Sequence, residues 1–111
     1  MREAQSIFVQ IAEGIKDRIL SGEYQADERI PSVRDLAVEL EVNPNTAMKA
    51  FDLLQREDLI YNKRGMGYFV SPEAKAKVVE SRKRQLREVT LPALRHELEL
   101  LGLSLEDLLR I

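Results

Sequence analysis

No cysteine occurs among the 111 residues, which excludes a disulfide scaffold, thiolate metal sites and cysteine nucleophiles. Tryptophan is absent too, and the single histidine, His96, has no spaced ligand cluster near it, so no metal centre is expected. No apolar run approaches the ~20 residues of a membrane span. The opening Met1-Arg2-Glu3-Ala4-Gln5-Ser6 lacks the apolar stretch of a signal peptide. There is no nucleophile–base pair, no phosphate loop, no internal repeat and no low-complexity segment. Together these absences lead to the expectation of a cytoplasmic protein that is not an enzyme, with no cofactor, metal or membrane partner.

What is present is the composition of a globular protein: 44% apolar and 32% charged residues exclude a disordered or fibrous chain. The length suits one compact unit with a small appendage. The formal charge is −2, which in bulk argues against a nucleic-acid partner. Through Ser71 there are nine Lys and Arg against twelve Asp and Glu, and after it eight against seven. A DNA-binding chain of this kind must rely on a local basic patch.

The apolar pattern sets out the elements. Ile7, Ile11, Ile15 and Ile19 recur every fourth residue, flanked by Phe8, Ala12 and Leu20, which predicts an amphipathic helix ended by Gly22. A polar connection, Glu23 to Arg29, leads to a second short helix capped by Ser32, with Leu36, Ala37 and Leu40 inward. Asn43-Pro44 is an N-cap followed by proline at the first helical position, so the third helix has a sharply defined start. Its inward face is Ala47, Ala50, Phe51 and Leu54, and it runs to about Glu57. Leu59-Ile60-Tyr61 and Gly67-Tyr68-Phe69-Val70 are β-prone runs around the polar Asn62 to Met66, a hairpin with a basic tip.

Three helices, the second and third joined by a tight turn, followed by a hairpin, make a winged helix-turn-helix. In that fold the third helix enters the DNA major groove and the wing reaches the flanking backbone or minor groove. Asn45, Met48, Lys49 and Asp52 share the outward face of the third helix. Asn45 suits adenine, Lys49 suits guanine or phosphate, and Met48 suits a thymine methyl. Thr46 and the N–H groups of the first turn are candidate phosphate donors. Arg34 lies in the first turn of the second helix, where its charge opposes the helix dipole, so a phosphate contact explains it better than stability does. Lys63, Arg64 and Gly65 form the wing tip. The alternatives are a solvated helix face, a salt bridge for Arg34 and a hairpin tip made basic for solubility.

These residues resemble a known family. Phe8-Val9-Gln10-Ile11-Ala12, Ile19 to Gly22, Arg29-Ile30-Pro31-Ser32-Val33-Arg34-Asp35-Leu36-Ala37, Val42-Asn43-Pro44-Asn45-Thr46, Leu59-Ile60 and Gly65-Met66-Gly67-Tyr68-Phe69-Val70 are similar, in order, to the DNA-binding domain of GntR-family transcriptional regulators. Asn43-Pro44-Asn45-Thr46 and the short C-terminal part look most like the YtrA subfamily. The resemblance implies a dimeric bacterial repressor on an inverted-repeat operator, often near transporter genes. It also implies DNA contact at Arg34, Asn45, Thr46, Lys49, Gly65 and Gly67, and the full candidate set adds Asn43, Met48, Lys63 and Arg64. Ala26-Asp27 stand where the family has Pro-Gly, and Pro44 and Met48 stand where many relatives carry arginine.

Residues 73 to 101 are helical in propensity, with Pro92 a kink or restart, Thr90 its expected cap and Gly102 the end. Ser104-Leu105-Glu106-Asp107 is a capping-box pattern that predicts a last short helix. Leu91, Leu94, Leu98, Leu101, Leu105 and Leu108 alternate spacings of three and four, the pattern of a helix packed on another helix. With Gly102 interrupting it, the pattern fits two short helices in a dimer interface, packing on the first helix being the alternative. The basic run Lys75, Lys77, Arg82, Lys83, Arg84 and Arg87 is interleaved with Glu73, Glu80 and Glu88, which favours simple solvation. Forty residues after Ser71 are too few to enclose an effector pocket. A small-molecule effector would therefore sit at the dimer interface or between the two parts. The expected fold class is mainly α with a small β-hairpin: residues 1–71 form the winged helix-turn-helix and residues 72–111 a short helical dimerisation segment. A winged helix that binds protein instead of DNA is the rival function.

Overall fold

The computed structural model describes residues 6–111, in two compact units divided between Val78 and Val79. The first unit holds α1 (Ile7–Ser21), α2 (Val33–Leu40), α3 (Pro44–Arg56), β1 (Ile60–Lys63) and β2 (Gly67–Val70). Helix α4 (Ala74–Gln85) begins there and runs into the second unit, which continues through a π-helical turn (Leu86–Thr90), α5 (Leu91–Leu101) and α6 (Leu105–Leu109).

The isoleucine stripe of α1 does what its spacing requires. Ile11, Ile15 and Ile19 are buried against α3, whose inner face of Ala47, Ala50, Phe51 and Leu54 has no exposed surface. Two alanines on that face let the helix backbones approach closely, and Phe51 fills the space between the helices and the sheet. Ala74 and Val78 close the same core from the start of α4. Lys16 ties α1 to the end of α3, pairing with Glu57 at 2.9 Å and Glu13 at 3.0 Å. Burial lowers its pKa, but the hydrogen bonds to the two carboxylates outweigh that and hold it above the usual lysine value.

Helix ends follow the sequence signals. Gly22 takes the left-handed conformation at φ 89°, and Ser32 Oγ accepts from the Asp35 N–H at 3.0 Å. The turn between α2 and α3 is less orthodox. Glu41, at φ 56°, occupies the left-handed region where glycine is favoured, and Val42 N–H donates to Ala37 O at 3.0 Å. Asp58, φ 58°, ends α3 in the same way, with Leu59 N–H donating to Leu54 O.

Three expectations are corrected. Leu40 is not a core residue: it is 38% exposed and lines an apolar groove of about 290 Å³ with Ile7, Ile11 and Leu36, which Gly14 leaves open. Thr90 caps nothing, because its backbone stays right-handed helical and its side chain makes no cap bond. The chain instead absorbs Pro92, which has no N–H to give to the helix, in a π turn where Leu91 N–H reaches back to Leu86 O. The supposed loop before α2 also makes an isolated bridge to the wing. Val70 N–H donates to Glu28 O and Ile30 N–H to Tyr68 O, both at 3.0 Å, so Arg29 bridges Phe69 on the outer side of β2.

Gly102 ends α5 at φ 68°, and Ser104 and Asp107 form the reciprocal capping box of α6. Among the described residues, no helix is long and apolar enough to cross a membrane.

The left-handed Glu41 generates a stability prediction. Relief of about 1–2 kcal/mol, offset by ~0.5–1 kcal/mol of added unfolded-chain freedom, makes Glu41→Gly stabilising by about 0.5–1 kcal/mol. A higher urea midpoint at unchanged slope is the expected observation, and a lower one contradicts the strain argument.

Candidate nucleic-acid interface

Helix α3 is fixed from its first residue. Asn43 is extended, and its Oδ1 accepts from the Asn45 N–H at 2.7 Å, while Pro44 occupies the first helical position. Asn43 O also accepts from the N–H groups of Thr46 at 2.9 Å and Ala47 at 3.1 Å. The first-turn N–H groups are therefore engaged within the chain, which corrects the expectation that they stand free for phosphate. The side chains remain available. Asn45, Lys49 and Asp52 are exposed, while Thr46 and Met48 are half-buried at the edges of the same face. Arg34 is exposed in the first turn of α2.

The wing is an antiparallel pair in the register Ile60↔Val70, Tyr61↔Phe69, Asn62↔Tyr68, Lys63↔Gly67. Arg64, Gly65 and Met66 form its tip, where Met66 N–H closes the turn on Lys63 O at 2.8 Å and Gly65 supplies the positive φ of 78°. Alternation divides the wing into two faces. Tyr68 turns inward and meets Phe51 edge to face, ring centres 4.9 Å apart at 74°, which ties the wing to α3. Tyr61 and Phe69 stack on the outer face at 5.7 Å, with the Lys63 ammonium 4.7 Å from the Phe69 ring centre. Tyr61 Oη donates to Asp27 Oδ1 at 2.9 Å, and this hydrogen bond pushes the phenol pKa above its usual value. Asp27 itself, at φ 63°, takes the left-handed conformation that favours glycine.

The charges are unevenly neutralised. Lys16 is paired with Glu13 and Glu57, and Arg18 with Glu23 and Glu39 while also donating to Tyr24 Oη at 2.7 Å. Among the described residues, Arg34, Lys49, Lys63 and Arg64 have no carboxylate partner. An acidic chain thus has unpaired cations on α2, α3 and the wing, as it does on the helices that follow.

A family model for bacterial regulatory proteins, gntR family, matches residues 8–70, from the start of α1 to the end of β2. The chain belongs to the GntR family. It is 36% identical over 96 residues to the HTH-type transcriptional repressor YtrA of Bacillus subtilis (strain 168), covering 83% of this chain and 74% of that one. A GntR-family transcriptional regulator from Listeria monocytogenes has the same winged-helix fold, with a TM-score of 0.79 and 29% identity over 99% of this chain and 95% of that one. The DNA-binding domain of AraR, solved in complex with operator ORR3, matches at a TM-score of 0.56 and 26% identity over 64% of this chain and 93% of that domain.

The GntR fold thus brings Arg34, Asn45, Thr46, Met48, Lys49 and the wing residues Lys63, Arg64, Gly65 and Gly67 into one winged helix-turn-helix, with Asn43 serving as a cap. Reading the sequence missed Arg29, placed in a polar connection. Its guanidinium lies over Gly67, where a β-carbon would sit 3.2 Å from its Nε. A single bridged residue, with hydrogen bonds at Glu28 and Ile30 on either side, is too little to register by alternation.

Because Asn43 both defines the helix start and stands beside the exposed Asn45, its cap role is separable by substitution. Asn43→Ala is expected to cost about 1 kcal/mol of stability, and Asn43→Ser to restore it. Thermal melts of the two variants decide this, and equal melting temperatures would remove the cap from the account.

Proposed function

We propose that the protein is a homodimeric, sequence-specific DNA-binding repressor that recognises an inverted-repeat operator. The observation that carries this reading is the set of unpaired cations on α2, α3 and the wing of an otherwise acidic GntR-family chain. Its support is the operator-bound AraR domain of the same fold. In this reading α3 enters the major groove, where Asn45, Met48 and Lys49 read bases. Arg34, Thr46, Lys63 and Arg64 hold phosphates and set the register, and Gly65 and Gly67 let the wing backbone approach the DNA.

Residues 1–71 serve as the DNA-binding domain and residues 72–111 as the dimerisation segment. What supports the second assignment is the exposure of its leucines: Leu91 is 42%, Leu94 36%, Leu101 61%, Leu105 53% and Leu108 39% exposed, with Leu98 half-buried. Two short helices with so much apolar surface need a partner face. A second copy supplies one and places two recognition helices about one DNA turn apart, or a multiple of it. An effector, where one binds, would act through the paired segments.

The test is selection of bound genomic fragments followed by anisotropy titration against scrambled DNA. Replacing Asn45 or Lys49 by Ala should lower discrimination by ~1–3 kcal/mol per lost base contact. Equal losses on both DNAs contradict base reading. For the dimer, Leu94→Glu with Leu98→Glu should give monomers by light scattering and sharply weaker operator binding, whereas an unchanged dimer places the interface elsewhere.

A further inference from the structure

We infer that Arg29 is a phosphate contact of the wing, delivered from the segment that bridges the edge of β2 and forming one anion site with Lys63. The inference rests on the DNA-binding reading above and adds to it a residue outside the helix-turn-helix and the hairpin.

The backbone fixes Arg29 in place. Hydrogen bonds from Val70 N–H to Glu28 O and from Ile30 N–H to Tyr68 O flank it, so its Cα is held by the sheet. Its bridge to Phe69, which is in turn opposite Tyr61, puts Arg29, Phe69 and Tyr61 on the same outer face. Two residues towards the tip, that face carries Gly67 and, opposite it, Lys63. Gly67 has no side chain, and the Arg29 guanidinium runs across the vacant position, with Nη2 3.7 Å and Cζ 3.8 Å from where a β-carbon would stand. Directly opposed residues have β-carbons ~5 Å apart. The guanidinium over Gly67 and the Lys63 ammonium over Phe69 therefore bracket one stretch of surface.

Neither cation is neutralised. The acids beside Arg29 are turned to other partners: Glu28 Oε1 accepts from the Gln25 N–H at 2.9 Å, and Asp27 Oδ1 from Tyr61 Oη at 2.9 Å. Among the described residues, Arg29 has no ion pair. Arg29 and Lys63 approach the same outer face from opposite sides of β2, so their like charges repel across it, and an anion between them removes that cost. A planar guanidinium beside an ammonium suits a phosphodiester oxygen pair, and the face adjoins the basic tip at Arg64. The phosphodiester backbone of the DNA is the ligand this site fits.

The test uses the full chain with Arg29→Gln, Arg29→Lys and Arg64→Gln, titrated on the selected genomic fragment and on a scrambled duplex at several salt concentrations. Gly67 is left alone, because its φ of 105° strains any other residue. Arg29→Gln is expected to weaken binding to both DNAs equally and to flatten the salt slope by about 0.9 per protomer, about 1.8 for the dimer, so that the affinity loss between 50 and 200 mM salt shrinks roughly 12-fold. Arg29→Lys is expected to keep most of the slope. A wild-type slope in Arg29→Gln, alongside a flattened one in Arg64→Gln, overturns the inference while leaving the wing on DNA. Equal flattening by Arg29→Lys and Arg29→Gln overturns it too, since it traces the loss to wing structure and not to charge. Wild-type protein that binds neither DNA in a salt-dependent way overturns the DNA-binding reading and this site with it.

Discussion

Phe51 meets Tyr68 edge to face at 4.9 Å, and through that contact α3 and the wing share one core. Phe51 has no exposed surface, and the isoleucines of α1 pack into the same cluster. The two elements proposed to touch DNA are thus not separately mobile attachments. Moving the wing requires unseating Tyr68 from the ring that also positions α3. Loss of a core aromatic costs ~3–5 kcal/mol, a large share of a small domain's stability, so the relative placement of helix and hairpin is as secure as the fold itself.

Electrostatics build on that frame. The carboxylates of an acidic chain are spent on structure: Glu13 and Glu57 on Lys16, Glu23 and Glu39 on Arg18, Glu28 and Asp27 on the turn before α2. Among the described residues, Arg34, Lys49, Lys63 and Arg64 on α2, α3 and the wing stay without a carboxylate partner, as do Lys75, Lys77, Lys83, Arg84, Arg87 and Arg95 further along the chain. The local field at a binding face is set by the charges without partners, because paired ones cancel within a few ångströms.

Much of this was legible in the sequence for reasons that are local. The four-residue recurrence of Ile7 to Ile19, the caps at Ser32, Asn43 and Ser104, and the glycine stops at Gly22 and Gly102 each depend on neighbours a turn away. The order of three helices and a hairpin pointed to the winged helix, and the GntR resemblance agreed with it. What was not legible depends on distant pairing. Arg29 joins the wing through hydrogen bonds to residues some forty positions later. Leu40 looked inward by periodicity, but it is 38% exposed and lines an open groove beside α1. Thr90 has the chemistry of a cap, yet the π turn kept the helix continuous and left the cap unused. The first-turn N–H groups of α3 looked free until Asn43 was seen to accept from three of them in succession. No such local reading reaches the candidate contacts themselves: periodicity placed Asn45 and Lys49 outward, and what they touch lies outside the chain.

The π turn at Leu86–Thr90 also has a geometric consequence. Each residue advances a helix by ~100° around its axis, so one extra residue accommodated in a turn rotates everything beyond it by about that angle relative to an unbroken α-helix. The azimuth of the leucine stripe from Leu91 to Leu101 about its own axis is therefore set by the fault at Leu86–Thr90 and not by the phase of α4. A one-residue insertion or deletion in this turn would leave each helix intact and turn the stripe to face another direction.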